Sequence, residues 1–248
     1  MFQVMRHHTK WYASLCLGLA LGVALPAHAD DIDILGEFIQ QQNLSQPQGS
    51  TQNQFLELRS EAQGLGPILN SQSALILDAN TGQPLFQKNS NSVRSIASIS
   101  KLMSAMVLLD ANLDPNELIT VSNAEIDRLK GTSSRLSIGT TLTREQMLHI
   151  GLMSSENRAI HALGRTYPGG MPAFVSAMNQ KAQQLGMTNS RFVEPTGLSP
   201  QNVSTANDLA KMVKAAAEYP AIRYYSTHNN ASIATSAGKV QQYHNSNA

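Results

Sequence analysis

One segment constrains this chain more than any other: a helix that must be covered, yet carries an amine at its head. Ile99, Leu102, Met103, Met106 and Val107 recur at i, i+3, i+4, i+7 and i+8, the spacing of an apolar face on an α-helix. Such a face stabilises a helix only when other elements bury it. The same run opens with Ser98-Ile99-Ser100-Lys101. Residues three apart share a helix face, so hydroxyl and amine stand one turn from each other. The helix start, with its free N–H groups and positive dipole end, favours negative charge developing on the serine oxygen. A lysine held there and partly desolvated can lose its proton near neutral pH and act as a base. Spacing alone leaves a plainer reading open, because serine is a common helix cap and lysine a common helix residue. A second copy, Ser236-Ala237-Gly238-Lys239, has a glycine inside it and no apolar stripe after it, and reads as a turn.

The first residues predict export. Arg6 and Lys10 precede a mostly apolar run from Trp11 to Leu25, and Ala27-His28-Ala29 makes a small-x-small cleavage site before Asp30. The run is short for a membrane span and ends at Pro26, which favours removal after Ala29 over anchoring. We therefore expect residues 1–29 to be a signal peptide and the location to be the periplasm. Cys16, the one cysteine, lies inside this run, so the exported chain is expected to lack disulfides, thiol nucleophiles and cysteine metal sites. Without residues 1–29 the chain keeps 16 basic against 17 acidic residues, a formal charge of −1. That balance gives no basic stripe for nucleic acid and nothing polybasic for a lipid surface.

Residues 30–68 read as a Gln-rich tether poor in core-forming groups, with room for a short helix near Asn53 to Ala62. From residue 69 onward the pattern turns globular, and 42% hydrophobic residues suffice for a core. Ser73 to Asp78, the turn Asn80-Thr81-Gly82 and Pro84 to Gln87 read as strand, turn and strand. Short apolar pieces and turns follow Asp114-Pro115 up to Gly139. Thr143-x-x-Gln146 is a capping-box start for a helix carrying Met147, Leu148, Ile150 and Leu152. Pro172 suits a first helical turn ahead of Val175, Met178, Ala182 and Leu185, and Gly186 suits its stop. Thr205 with Asp208 opens another helix bearing Leu209, Met212, Val213 and Ala216, which ends before Pro220. Two subdomains of one unit are expected, with the helical one at about 120–217 inside a 69–248 domain.

A second chemical motif is Ser155-Glu156-Asn157, the one Ser-x-Asn of the chain, placed where one helix gives way to the next. A hydroxyl and a carboxamide two residues apart can project into one cleft, to relay a proton and hold a peptide group. Cap-and-turn chemistry between helices explains the same residues equally well. Four runs together go further: Ser95 to Met103, Gly151 to Arg158, Leu185 to Leu198, and the hairpin Leu77-Asp78-Ala79-Asn80-Thr81-Gly82. From about residue 70 onward, and in order, they resemble the low-molecular-mass penicillin-binding proteins, closest to the D-alanyl-D-alanine endopeptidase branch beside the carboxypeptidases.

The resemblance implies an α+β fold, with an antiparallel sheet and flanking helices forming one subdomain, a mostly helical insertion forming the other, and the cleft between. It implies Ser98 as the acylated nucleophile, Lys101 as its base, Ser155 as the proton relay to the leaving amine and Asn157 as a holder of the substrate backbone. The implied substrates are D-Ala-containing peptides of peptidoglycan, with β-lactams acylating the same serine, and no cofactor is implied. Glu156, inside the motif, and the turn Glu194-Pro195-Thr196-Gly197 are read as structural. His149 and His161 have no third partner at metal-site spacing. The family also uses Lys-Thr-Gly on a strand lining the cleft, which this sequence lacks. Tyr243 to Ala248 resemble the segment before that strand, so the resemblance predicts an early stop, with its C-terminal strands missing, and weak or absent turnover. A class A β-lactamase reading expects Asp in place of Glu156 and a deacylating Glu that the sequence does not reveal. A cell-wall binding protein on the same scaffold is the non-enzymatic alternative.

Overall fold

The computed structural model describes residues 69–234, 238 and 240–246. The export signal, the Gln-rich tether and most of the second Ser-x-x-Lys copy lie outside the described residues. Strands β1 (Ala74–Leu77) and β2 (Pro84–Lys88) form the expected antiparallel hairpin, with Ala74 opposite Lys88. Its turn is wound on Asp78, whose carboxylate accepts from the backbone N–H groups of Asn80 at 2.9 Å and Thr81 at 2.7 Å, an Asx-type turn.

The remaining strands are β3 (Arg94–Ser95), β4 (Leu118–Thr120), β5 (Thr141–Thr143), β6 (Val203–Ser204), β7 (Asn230–Ala234) and β8 (Val240–His244). The fold is α+β, but the strands do not join into one sheet. Among the described residues they make four separate antiparallel pairs, β1–β2, β3–β6, β4–β5 and β7–β8. β3 and β6 are only two residues each, yet their pairing brings the entry to the first helix beside the chain around Asn202.

Helices α1 (Ser100–Asp110), α2 (Arg144–Met153), α3 (Asn157–Arg165), α4 (Gly170–Gln184), α5 (Ala206–Ala216) and α6 (Pro220–Thr227) supply the body. Their ends follow local chemistry. Thr143 and Gln146 close the capping box of α2 reciprocally, at 3.1 and 2.9 Å. Gly186, at φ +67°, ends α4 in a left-handed residue, with Met187 N–H on Ala182 and Gly186 N–H on Gln183, the double bond of a Schellman motif. Thr205 caps α5 by accepting from Asp208 N–H at 3.1 Å. Pro220 marks the end of α5 only indirectly: it sits at the first turn of α6, a helix the sequence did not announce. Proline's missing N–H costs nothing at that position.

The predicted one-sided stripe of α1 gives way to burial nearly all round. α1 packs on α2, α3, α4, α5 and α6, and Ser100, Lys101 and Ser104 are buried together with Met103 and Met106. The buried hydroxyls are satisfied by distant chain: Ser104 Oγ donates to the Pro195 carbonyl at 2.7 Å, and Ser100 Oγ accepts from Asn202 Nδ2 at 3.0 Å. One apolar cluster runs from α1 through Met147, Ile160 and Phe174 to Ile233 and Tyr243 of the last hairpin.

Candidate active site

Ser98 lies just ahead of α1, in a single 3-10 turn, Ala97–Ile99, rather than inside the α-helix itself. Ala97 before it adopts φ +45°, and Ser98 is exposed. Lys101, one turn on, is only 3% exposed. Its Nζ stands 2.9 Å from Ser98 Oγ and 2.8 Å from the carbonyl oxygen of Thr196. Burial pushes its pKa down to about 8, against the opposing negative charges of Glu194 and Glu156. Nζ donates to both of these neighbours, the Thr196 carbonyl and Ser98 Oγ; once the amine loses its extra proton, its lone pair can turn to the Ser98 hydroxyl. An ammonium would leave a third proton unmatched in a dry place.

The carbonyl that holds Lys101 belongs to a loop sealed onto the nucleophile turn. Glu194 accepts from Thr196 N–H at 2.7 Å, Thr196 Oγ1 at 2.5 Å, Gly197 N–H at 2.6 Å, Ser199 N–H at 3.3 Å and Asn202 Nδ2 at 3.1 Å. Asn202 is fully buried; its Oδ1 accepts from Val193 N–H at 2.8 Å, and its own carbonyl accepts from Ile96 N–H at 3.1 Å. Gly197, at φ +84°, is pressed so close that a Cβ there would lie 1.7 Å from the carbonyl oxygen of Ala97. No residue but glycine fits.

Ser155 and Asn157 come from the connection between α2 and α3. Ser155 is half-buried, adopts φ +57° and makes no hydrogen bond from its hydroxyl to a described residue. What ties this connection to the Ser98–Lys101 pair is the neighbouring charge of Glu156. Glu156 also caps α3 through Arg158 N–H at 3.3 Å and accepts from Ser134 Oγ at 2.7 Å. Asn157 opens α3. Its Nδ2 donates a long 3.4 Å bond to Thr132 Oγ1, while its Oδ1 is buried without a partner. Amide orientation is assigned from such networks; in either orientation one end of this amide is buried without a hydrogen-bond partner.

Asn157 and Thr196 both line a cleft of about 330 Å³, together with Glu194, Leu198, Asp127 and Thr132. Asp127 shapes its outer wall by accepting from the N–H groups of Leu129, Lys130 and Thr132 and from Thr132 Oγ1, at 2.7 to 3.0 Å. Burial disfavours its charge, but the N–H groups of Lys130, Thr132 and Leu129 and the Thr132 hydroxyl together outweigh that and hold the carboxyl well below its usual range.

Sequence reading missed Thr196, Glu194, Asn202 and Asp127 as parts of the site. The first three act across 95 or so positions, as in Lys101 to Thr196, and no local pattern carries that. His149 instead stacks on Tyr225, with ring centroids 4.8 Å apart, and His161 pairs with Glu125 at 3.3 Å. His149 is thus a packing residue, whereas His161 also lines the cleft.

A buried amine against an exposed hydroxyl, beside a cleft lined by Asn157 and Thr196, can support acyl transfer to oxygen. The family described as D-alanyl-D-alanine carboxypeptidase matches residues 60–248. A D-alanyl-D-alanine endopeptidase of Pseudomonas aeruginosa is 48% identical over 166 residues, 67% of this chain and 54% of that protein. One from Escherichia coli is 50% identical over 161 residues, 65% of this chain and 52% of that protein. The chain thus spans about half the length of these relatives. The crystal structure of the Streptomyces K15 DD-transpeptidase superposes with a TM-score of 0.67 at 26% identity, covering 72% of this chain and 74% of that one.

Proposed function

The chain belongs to the D-alanyl-D-alanine carboxypeptidase family, and from that premise we propose that it is a periplasmic serine D-alanyl-D-alanine endopeptidase. Its substrates are the D-Ala-containing peptide cross-links of peptidoglycan, and β-lactams acylate the same serine. The observation that carries this reading is the exposed Ser98 Oγ at 2.9 Å from the buried amine of Lys101. The names of the relatives at 48% and 50% identity favour the endopeptidase over the carboxypeptidase reading.

In this mechanism neutral Lys101 takes the proton of Ser98 while Oγ attacks the carbonyl carbon of the D-Ala residue. The Ser98–acyl bond forms, the C–N bond breaks, and Ser155 relays the proton to the departing amine. Water then attacks the acyl carbon and restores the Ser98 hydroxyl. Asn157 holds the peptide backbone through its side-chain amide.

Intact-mass and peptide mass spectrometry after penicillin treatment tests the proposal. An adduct of one penicillin on Ser98, absent from Ser98→Ala, is expected. A wild-type chain that stays unmodified overturns it in favour of a binding protein. Release of monomers from a cross-linked muropeptide dimer, compared with loss of terminal D-Ala from a pentapeptide, separates the two peptidase preferences.

A further inference from the structure

We propose that Glu194 is a positioning residue for Lys101: it fixes the 194–202 loop so that the Thr196 carbonyl holds the amine against Ser98. This rests on the reading of Ser98 and Lys101 given above. The sequence presents Glu194-Pro195-Thr196-Gly197 as no more than a turn, but the geometry asks for more.

Both Glu194 oxygens are taken up by donors of its own loop: Oε2 by Thr196 N–H and Oγ1, Oε1 by Gly197 N–H, Ser199 N–H and Asn202 Nδ2. A carboxylate so fully engaged holds a shape. The shape it holds is the one Lys101 needs. Thr196, bound twice by Glu194, offers its carbonyl to Nζ at 2.8 Å. Pro195 offers its own to Ser104 one turn further along α1, at 2.7 Å. Asn202 bonds at once to the Glu194 carbonyl and to Ser100 Oγ, at 2.8 and 3.0 Å. Loop and helix are therefore registered at three successive polar positions of α1.

Charge adds a second link. Every donor to Glu194 is neutral, and among the described residues it forms no ion pair. Its negative charge acts instead on Lys101. The other charge acting there is Glu156, from the α2–α3 connection. Two ion pairs also stand on the helices around α1: Lys181 of α4 with Asp110 at the far end of α1, at 2.9 Å, and Asp208 of α5 with Lys211, at 2.9 Å. Glu194 thus does two things to the base: it sets where the amine sits and it raises the pH at which the amine empties.

These two effects separate experimentally. Acylation by a fluorescent penicillin is followed against pH for wild type, Glu194→Gln, Thr196→Ala and Thr196→Ser. Glu194→Gln removes the charge, so the rising limb of its profile moves to lower pH, while its plateau falls by roughly tenfold or more from misplacement. Thr196→Ala keeps the charge and loses the hydroxyl link, so its plateau falls and its limb stays; Thr196→Ser restores the plateau. A purely structural residue lowers the rate equally at every pH. Direct titration of Lys101 by the ¹³C shift of its labelled side chain needs no acylation: it must show the lower value in Glu194→Gln. An unmoved limb and an unmoved titration overturn the proposal. A wild type that is never acylated refutes the peptidase reading instead, and the titration still decides the role of Glu194. Should Glu194→Gln not fold, equal rates for Thr196→Ala and wild type overturn it.

Discussion

The two loops that border the cleft are built on the same device and set in opposite surroundings. In each, one carboxylate gathers several donors from the residues after it: Glu194 from Thr196, Gly197, Ser199 and Asn202, Asp127 from Leu129, Lys130 and Thr132. Around Glu194, residues Pro195 to Gly197 and Asn202 are buried, whereas residues 128–133 after Asp127 are all exposed. The sealed loop reaches the reacting pair through a 2.8 Å bond to Lys101. The open loop lines the cleft directly with Asp127, Leu129 and Thr132, and meets Asn157 through one long bond from its amide to Thr132, at 3.4 Å. The same turn chemistry thus becomes part of the reaction machinery where the surroundings are packed, and an adaptable rim where they are not.

Matched glycine substitutions put the comparison under the greatest strain. Gly197 and Gly131 both have positive φ, +84° and +65°, but a Cβ at 197 would meet Ala97 at 1.7 Å and one at 131 would meet nothing within 4 Å. Gly197→Ala is expected to reduce acylation by at least about a hundredfold, or to prevent folding outright. Gly131→Ala carries only the left-handed backbone penalty, about 1 kcal/mol, and keeps its acylation rate. Thermal melts with penicillin-labelling rates check both; similar losses in the two would erase the distinction.

Acidity divides the loops next. The Lys101 amine empties only above about 8, so acylation is expected to fall about tenfold per pH unit below that. The linkage to stability has the same sign: the folded state has the lower proton affinity, so stability rises with pH between the folded value near 8 and the ordinary lysine value of 10.5. The gain is about 3 kcal/mol across that window, and is absent from Lys101→Met. Urea melts of the two proteins at pH 7 and pH 10 measure it. Asp127 runs the other way. Its depressed folded pKa stabilises above the ordinary carboxylate value and is lost only as pH falls through the lower one. At pH 4 the open loop therefore keeps its shape, seen as unchanged amide shifts of Leu129 and Thr132, while acylation has stopped.

The mildest effect is expected at the rim. Asp127→Ala frees residues 128–132 from their donors without touching the core. Fold and acylation chemistry should survive, with the penicillin concentration for half-maximal labelling rate raised several-fold, by about 1 kcal/mol of lost preorganisation. A drop in the maximal rate instead would mean that the open loop, too, sits inside the machinery.

What the sequence disclosed follows from how far each interaction reaches. The β1–β2 hairpin, the Thr143–Gln146 box, the Gly186 stop and the Thr205 cap are settled within a few residues, and all were legible. Serine and lysine three apart were legible as a pair, although the 3-10 turn that lifts Ser98 out of the α-helix was not, because it depends on Gly197 meeting Ala97. α1 was read as one-sided, since its polar residues looked solvent-facing until Pro195 and Asn202 arrived to satisfy them. Asp127 was hidden for a different reason: an Asx-type turn is common, and only its place beside Asn157 gives it meaning.

The lone Oδ1 of Asn157 has one further consequence. A buried acceptor without a donor costs about 1–3 kcal/mol, and a peptide N–H that reaches Oδ1 on a shift of the Asn157–Thr132 contact would offset that cost. Compounds presenting an amide N–H at that spot should then raise the melting temperature more than isosteric esters of equal size and apolar area, and a screen by thermal shift would rank them in that order before any turnover is measured.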